Sequence, residues 1–100
     1  MSSLESELKN ALRTGKVILG SRESILAIRH GKAKMIIVAS NTDPSVRKDV
    51  EYYARLSNIP IYIYEGTSVE MGGMLGKPFP VQVAAVVDPG DSKILEFIES

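Results

Sequence analysis

An unbroken apolar run, Met-Ile-Ile-Val-Ala at residues 35–39, leaves few folds open to this chain. A strand with one face in water alternates apolar and polar side chains, whereas an unbroken run indicates a strand covered on both faces. We therefore predict a central strand here, in a sheet that other elements cover from both sides.

Helical and strand patterns alternate along the rest of the chain. Apolar runs predict further strands at residues 16–19, 61–64 and 81–87. Helical spacing and capping residues predict five helices. The first begins with Ser2 and Glu5 at capping-box spacing and ends at Gly15, and the second is capped by Ser21 and ends at Gly31. The third runs from Asp43 and Pro44 to Asn58, the fourth is short and has Thr67 and Glu70 at capping-box spacing, and the closing helix carries Ile94, Leu95 and Ile98. Strands that alternate with helices in this way imply right-handed crossovers. The predicted architecture is α/β, a three-layer α-β-α sandwich with a four-stranded sheet that is largely parallel or mixed.

The composition bounds the domain count and removes several classes of site. A chain of 100 residues with 44% apolar side chains is predicted to form one domain, residues 1–100, around a single core. The absence of cysteine excludes disulfides, thiolate zinc sites and cysteine nucleophiles, and a single histidine, His30, argues against a histidine metal cluster. The sequence has no phosphate loop, dinucleotide fingerprint, metal-ligand spacing or clear acid–base pair, so we expect neither an enzyme nor a cofactor.

Targeting and membrane signals are missing from the sequence. The amino terminus lacks the basic segment and apolar run of a secretory signal, and no apolar stretch approaches the roughly 20 residues that cross a bilayer. We expect a cytoplasmic protein with no membrane partner, monomeric when free.

The formal net charge of zero conceals an uneven distribution of charge. Residues 9–34 contain seven basic side chains and one acidic one, whereas residues 56–100 contain two basic and six acidic ones. Because the Debye length is about 8 Å at physiological ionic strength, the two parts would act separately. The basic segment either forms a face for a polyanion or is an ordinary solvated surface, and charge alone does not decide between them.

Three predicted strand-to-helix turns, at residues 20–22, 40–42 and 65–68, would meet at one edge of the sheet if their strands are parallel. Each turn brings a helix start with unpaired N–H groups and a partial positive charge, which suits an anion. Well-capped helices without a ligand explain the same residues. Phe79, between Pro78 and Pro80, also has two interpretations: it is partly buried against the fourth helix, or exposed to stack on a ligand.

A set of short stretches runs in a recognisable order along nearly the whole chain. They are Thr-Gly-Lys-Val-Ile-Leu-Gly-Ser-Arg from Thr14, Gly-Lys-Ala-Lys-Met-Ile-Ile-Val-Ala from Gly31, Asn41-Thr42, Glu-Tyr-Tyr-Ala-Arg-Leu-Ser from Glu51, Glu70-Met71-Gly72, Gly76-Lys77 and Asp-Pro-Gly-Asp-Ser-Lys-Ile-Leu from Asp88. Their combined order and spacing resemble the ribosomal protein thirty-e family, in the superfamily that includes ribosomal protein seven-Ae. The archaeal form is nearer than the eukaryotic one. Ser21-Arg22 stands where seven-Ae relatives typically have an Asn-Glu pair, which favours the thirty-e branch.

This resemblance implies a structural RNA-binding protein of the large ribosomal subunit. Its partner would be a kink-turn of ribosomal RNA, which is a sharply bent helix-internal-loop-helix. The family places the turn before the second helix in the bend, so the resemblance implies that the backbone of Gly20 and Ser21 approaches the RNA. Arg22 and the helix start would meet phosphates.

The resemblance also implies the remaining RNA contacts. Asn41 would hydrogen-bond base edges, Arg47 and Lys48 would contact the RNA backbone, and Phe79, Pro80 and Val81 would pack against an unstacked nucleotide.

Two departures from the family pattern affect RNA specificity rather than the fold: an acid at Glu23 and the stiff loop Pro78-Phe79-Pro80. Two other functions stay open. One is a kink-turn protein of an RNA modification or processing particle, and the other is a small α/β domain that binds a phosphorylated metabolite or nucleotide at the same edge.

Overall fold

The computed structural model describes residues 3–98 of the chain. Within that range the chain forms four α-helices, four strands and a closing 3₁₀ helix. In chain order these are α1 (Leu4–Thr14), β1 (Lys16–Leu19), α2 (Ser21–Arg29), β2 (Met35–Ala39), α3 (Pro44–Leu56), β3 (Ile61–Tyr64), α4 (Ser68–Met74), β4 (Val83–Asp88) and the 3₁₀ helix (Ile94–Ile98). None of the helices in these residues is long and apolar enough to cross a membrane.

The four strands form one mixed sheet in the order β1-β4-β2-β3. β2 and β3 pair in parallel, whereas β4 lies antiparallel to both β1 and β2. Three strands therefore point the same way and only β4 runs against them. The reason lies in the path between β3 and β4: α4 rises only about 10 Å, and the chain after it turns back along the helix, where the Val81 N–H donates to the carbonyl of Ser68 at 2.9 Å. The chain therefore re-enters the sheet from the edge at which it left.

Helices cover both faces of this sheet, as the apolar run predicts. All five residues of β2 are buried, and they alternate between two cores. Met35, Ile37 and Ala39 face α1, α4 and the 3₁₀ helix, while Ile36 and Val38 face α2 and α3. The central strand and the three-layer sandwich are thus confirmed.

The ends of several elements differ from the predicted ones. Ser3, rather than Ser2, caps α1 by accepting a hydrogen bond from the Ser6 N–H at 3.1 Å; Ser2 lies outside the described residues. β4 begins at Val83, because the N–H of Val81 donates to the carbonyl of Ser68 in α4 instead. The closing helix is a 3₁₀ helix that buries Ile94, while the side chain of Ile98 lies outside the described residues.

Candidate nucleic-acid interface

The mixed sheet brings four loops to one of its edges. β1, β2 and β3 all end there, and β4 begins there because it runs in the opposite direction. We call this edge the loop edge; it comprises residues 20–22, 40–43, 65–68 and 77–82. The candidate residues before the last strand therefore lie on the same side of the molecule as those after the first and second strands.

Gln82 forms hydrogen bonds that join its own loop to residues 39–43, and sequence reasoning missed this role. Its main-chain carbonyl accepts from the Ala39 N–H at 2.8 Å and from Thr42 Oγ1 at 3.1 Å. Its side-chain Oε1 accepts from the N–H of Asp43, just before α3, at 2.9 Å. A polar residue at the start of an otherwise apolar strand was the only signal for this role in the sequence.

The oxygen and the NH₂ group of the Asn41 side chain have different surroundings: the oxygen is bonded within the fold and the NH₂ group is open to solvent. Its Oδ1 accepts from the N–H of Ser68, the first residue of α4, at 2.8 Å. Because the partner is a donor, the bonded atom must be the oxygen and the NH₂ group must point the other way. Asn41 is exposed, and its NH₂ donates to no protein atom among residues 3–98. The fold thus holds two hydrogen-bond donors ready at the loop edge.

Gly20, rather than the predicted Ser21, is the N-cap of α2. Its φ of +112° is a conformation that side chains rarely adopt, and a Cβ there would have no atom within 4 Å. The N–H of Gly20 donates to the Val83 carbonyl at 2.8 Å, which fixes the turn to β4. No side chain caps α2, so its first N–H groups face outward beside Ser21 and the exposed Arg22.

The starts of α3 and α4 differ from each other. The side chain of Asp43 makes no capping hydrogen bond to α3, whereas Thr67 and Glu70 form a complete capping box on α4. The interpretation as a well-capped helix without a ligand therefore fits α4 but not α2 or α3. In the first turns of α3, Lys48 is exposed and Arg47 forms an ion pair with Glu51, with 3.3 Å between Nε and Oε2.

The side chain of Phe79 is 50% exposed, so part of the ring is open to solvent while its loop lies against α4. It lines an open groove of about 290 Å³ whose other walls are Val69, Gly73, Lys77, Pro78 and Pro80. The loop lies directly on α4: the carbonyl oxygen of Phe79 occupies the place that a Cβ of Gly72 would take.

Val81 differs from its neighbours in the same loop. Its side chain is 1% exposed and packs in the core with α1 and α4. It does not reach the surface of the loop edge, so it cannot pack against a ligand there and instead anchors the loop.

An acidic groove bounds the loop edge beyond β3. It has a volume of about 460 Å³, and Glu5, Glu65 and Glu70 line it together with Tyr64. Burial, followed by the negative charge of Glu5, raises the pKa of the Tyr64 hydroxyl, which donates to Glu5 Oε2 at 3.2 Å. This flank would repel a polyanion, so a nucleic acid at the loop edge has to lie toward α2 and α3.

The basic residues of the amino-terminal third lie mostly elsewhere. Only Arg22 of the seven cations in residues 9–34 lies at the loop edge, since the others lie along α1, at the first residue of β1, at the end of α2 or just before β2. Five of them lie at the opposite edge of the sheet: Arg13, Lys16, Arg29, Lys32 and Lys34. The predicted face for a polyanion is therefore not the loop edge itself.

Comparison with known proteins identifies the family. The sequence model of the "Ribosomal protein L7Ae/L30e/S12e/Gadd45 family" matches residues 2–96. The "Large ribosomal subunit protein eL30" of Sulfurisphaera tokodaii is 46% identical over 99 residues, which cover 99% of this chain and 93% of that protein. The proteins of the same name from Methanothermobacter thermautotrophicus and Methanobrevibacter smithii are 47% and 49% identical and cover 95% and 96% of this chain, and 97% of their own lengths.

A solved structure has the same fold. A protein with unknown function from Bacillus halodurans C superposes with a TM-score of 0.77 at 20% identity, covering 98% of this chain and 97% of that one. The matching fold, the family model and the near full-length relatives agree. The chain therefore belongs to the Ribosomal protein L7Ae/L30e/S12e/Gadd45 family.

Proposed function

We propose that this protein is a structural component of the large ribosomal subunit that binds a kink-turn of ribosomal RNA at its loop edge. Its family and its relatives, which are named as large-subunit proteins, support the ribosomal role. The observation that carries the RNA contact is the convergence at one edge of an uncapped helix start, free amide donors and a half-exposed aromatic ring.

The turn at Gly20 is suited to phosphate groups. Because no Cβ shields Gly20 and no side chain caps α2, RNA backbone can approach the N–H groups of Ser21 and Arg22 directly. The guanidinium of Arg22 adds a positive charge and can donate two parallel hydrogen bonds to phosphate oxygens. Arg47 and Lys48 contribute charge from α3, although Glu51 already neutralises part of the charge of Arg47.

Asn41 supplies the base-specific part of the interaction. Its NH₂ group would donate to acceptor atoms on base edges, which unusual pairs in a bent RNA expose. The hydrogen bond from Ser68 to Oδ1 fixes the amide, so the donors are oriented before RNA arrives.

Phe79 and Pro80 offer an apolar surface to an unstacked nucleotide. Stacking on an aromatic ring contributes about 1 to 3 kcal/mol per base. Val81 supports this contact indirectly, because its buried side chain and its N–H bond to Ser68 hold the loop against α4.

The first test compares a kink-turn RNA with a straight duplex of equal length at several salt concentrations. We expect clear preference for the kink-turn, and equal weak binding of both RNAs at low salt would overturn the proposal. Arg22→Ala should weaken both RNAs and make the log–log salt dependence shallower by about 1.

Two substitutions at Asn41 separate base recognition from support of the fold. Asn41→Asp keeps an oxygen for the Ser68 N–H but removes both donors, whereas Asn41→Ala removes the oxygen as well. We expect both variants to lose about tenfold or more of the preference for the kink-turn, and only Asn41→Ala to lose thermal stability. The added carboxylate of Asn41→Asp repels both RNAs, so the measurement is the ratio of the two affinities, and an unchanged ratio in both variants would contradict base recognition by Asn41.

A cytoplasmic, ribosome-bound protein that is monomeric when free follows from the same proposal. Sedimentation of the endogenous protein with large ribosomal subunits, rather than with smaller particles, would separate this role from one in RNA modification or processing. Competition by inorganic phosphate or a free nucleotide at millimolar concentration would instead favour a small-ligand domain.

A further inference from the structure

A basic surface at the sheet edge opposite the loop edge has no role in the proposed kink-turn contact. α2 and α3 both end at that edge, where they contribute Arg29 and Arg55, and the connector to β2 adds Lys32 and Lys34. All four side chains are exposed. We call these four residues the connector surface.

Packing brings the two helix ends together. Ala33 of the connector and Ala54 of α3 share one core cluster with Ile28 at the end of α2. The guanidinium of Arg29 lies 5.3 Å from the centre of the Tyr53 ring in α3, so the two helices also meet at their charged ends. Stacking on Tyr53 limits the freedom of Arg29 before any ligand binds.

Few acidic residues lie close to this surface. Residues 24–42 and 52–64 contain neither aspartate nor glutamate. Glu51 lies one turn before Arg55 in α3, and its Oε2 pairs with Arg47 Nε at 3.3 Å. None of the four cations makes an ion pair within residues 3–98. One acid, Asp88, lies at the end of the neighbouring strand β4. Its Oδ1 accepts from the N–H of Gly90 at 2.9 Å.

The α1 side of the same edge is different, because acids accompany its cations. Lys16 is the register partner of Asp88, and Asp91 lies beside the end of α1, donating its N–H to Thr14 Oγ1 at 2.9 Å. Arg13 donates to Asn10 Oδ1 at 3.0 Å. The unbalanced positive charge therefore lies on the α2 and α3 side alone.

We propose that the connector surface is a second RNA-binding surface, which holds the phosphate backbone of another RNA segment while the loop edge holds the first. Phosphate fits this surface because four cations without an ion pair, including two guanidinium groups, offer charge and bidentate donors, and the nearby carboxylate of Glu51 is paired with Arg47. The two surfaces lie at opposite ends of the strands, about 17 Å apart, which exceeds the Debye length of about 8 Å. They can therefore be occupied independently.

The inference rests on the proposed function only in taking RNA as the ligand class. An immobilised short kink-turn RNA is saturated with the protein and then offered a labelled straight RNA duplex that carries no kink-turn. We expect the wild-type protein to capture the duplex at low salt and to release it as salt is raised. Failure of the wild-type protein to capture it, or capture that persists at about 0.5 M salt, would overturn the inference.

A matched pair of variants identifies the surface responsible. The triple substitution Arg29→Ala, Lys32→Ala and Lys34→Ala removes three exposed cations from the connector surface. The control Lys9→Ala, Arg13→Ala and Lys93→Ala removes three exposed cations from α1 and from the segment before the 3₁₀ helix. Each set includes the last-turn arginine of one helix, so the helix ends lose the same charge.

We expect the connector variant to lose about tenfold or more of the duplex capture, with kink-turn binding at the loop edge largely kept. The control should keep both. Equal loss in the two variants would mean that net charge, and not this surface, captures RNA. Capture of polyglutamate in place of duplex RNA would assign the surface to an acidic protein instead. Failure of the proposed function is recognised separately, because the amount of protein that the immobilised kink-turn RNA retains is measured before the duplex is offered.

Discussion

At the scale of single residues, Gln82 has two tasks that its place in the sequence does not reveal. Its main chain belongs to the start of the last strand, while its side chain accepts from the N–H of Asp43 at 2.9 Å, at the start of α3. This bond satisfies the N–H of the N-cap residue, while the N–H groups of the first turn of α3 receive no side-chain cap from Asp43. One amide oxygen therefore joins the start of α3 to the loop that leads into β4.

Gln82→Ala should lower the free energy of unfolding by about 1 kcal/mol, because the Asp43 N–H loses its partner. Gln82→Glu keeps the acceptor and adds a negative charge near the amino end of α3, which is favourable there. We expect urea denaturation to find Gln82→Glu at least as stable as the wild type. Equal losses in the two variants would show that the hydrogen bond contributes nothing.

Tyr64 makes the free energy of unfolding depend on pH in the alkaline range. Burial, and then the charge of Glu5, raise the pKa of its hydroxyl above the ordinary 10.0, so the folded protein holds this proton more tightly than the unfolded chain does. The resulting stabilisation is complete below the unfolded pKa and is lost as pH rises through the folded pKa. Urea denaturation from about pH 8 to about pH 11 should show a steeper loss for the wild type than for Tyr64→Phe.

The exposed Tyr52 provides the control for that experiment. Tyr52→Phe removes a hydroxyl from a ring that is 55% exposed, so it measures what the loss of a surface tyrosine hydroxyl does over the same pH range. If Tyr64→Phe and the wild type lost stability in parallel, the buried hydroxyl would have no part in the alkaline transition.

At the scale of elements, α4 contains two adjacent glycines with opposite surroundings. A Cβ on Gly72 would collide with the Phe79 carbonyl oxygen and lie 3.4 Å from the Cα of Pro80, whereas a Cβ on Gly73 would meet nothing within 4 Å. Only the first glycine is therefore required for the loop that carries Phe79 to lie against the helix.

Gly73→Ala should stabilise the protein by about 0.5 to 1 kcal/mol, because alanine loses less backbone entropy in a helix. Gly72→Ala should destabilise it by about 1 to 3 kcal/mol, since the loop must move away. Thermal melts of the two variants check both signs. Stabilisation by Gly72→Ala would mean that the contact with the loop is not needed.

At the scale of the whole molecule, the sequence predicted the layers well and the strand directions less well. The run at residues 35–39 and the helical spacings reflect burial, which is local and repeats with the pleat or the turn, so the three-layer sandwich was predictable. The direction of β4 depends instead on the return of residues 75–82 along α4, which the bond from the Val81 N–H to the Ser68 carbonyl holds and which apolar patterns do not reveal.

The sequence predicted the turns that form the candidate site but not the hydrogen bonds within it. Gly20 and Asn41 stand out because glycine and asparagine are typical of turns after strands. The bond from Ser68 to Asn41 joins residues 27 positions apart, and that from Asp43 to Gln82 joins residues 39 apart, so neither has a local signature. Lys16 and Lys34 did carry a signal, because a cation at the start of a strand or directly before it lies at the opposite edge from the turn that follows the strand.

The place of β4 in the sheet has a consequence for the growing chain on the ribosome. β1 and β2 are synthesised early but do not pair with each other, because β4 lies between them in the sheet and is the last strand to be synthesised. Domains form as their segments emerge in order, and here the central partner emerges after all the other strands. The loop edge is therefore held in position only once Val83–Asp88 has been translated. Under the proposed function, a chain that stops short of this strand would not compete with the complete protein for RNA.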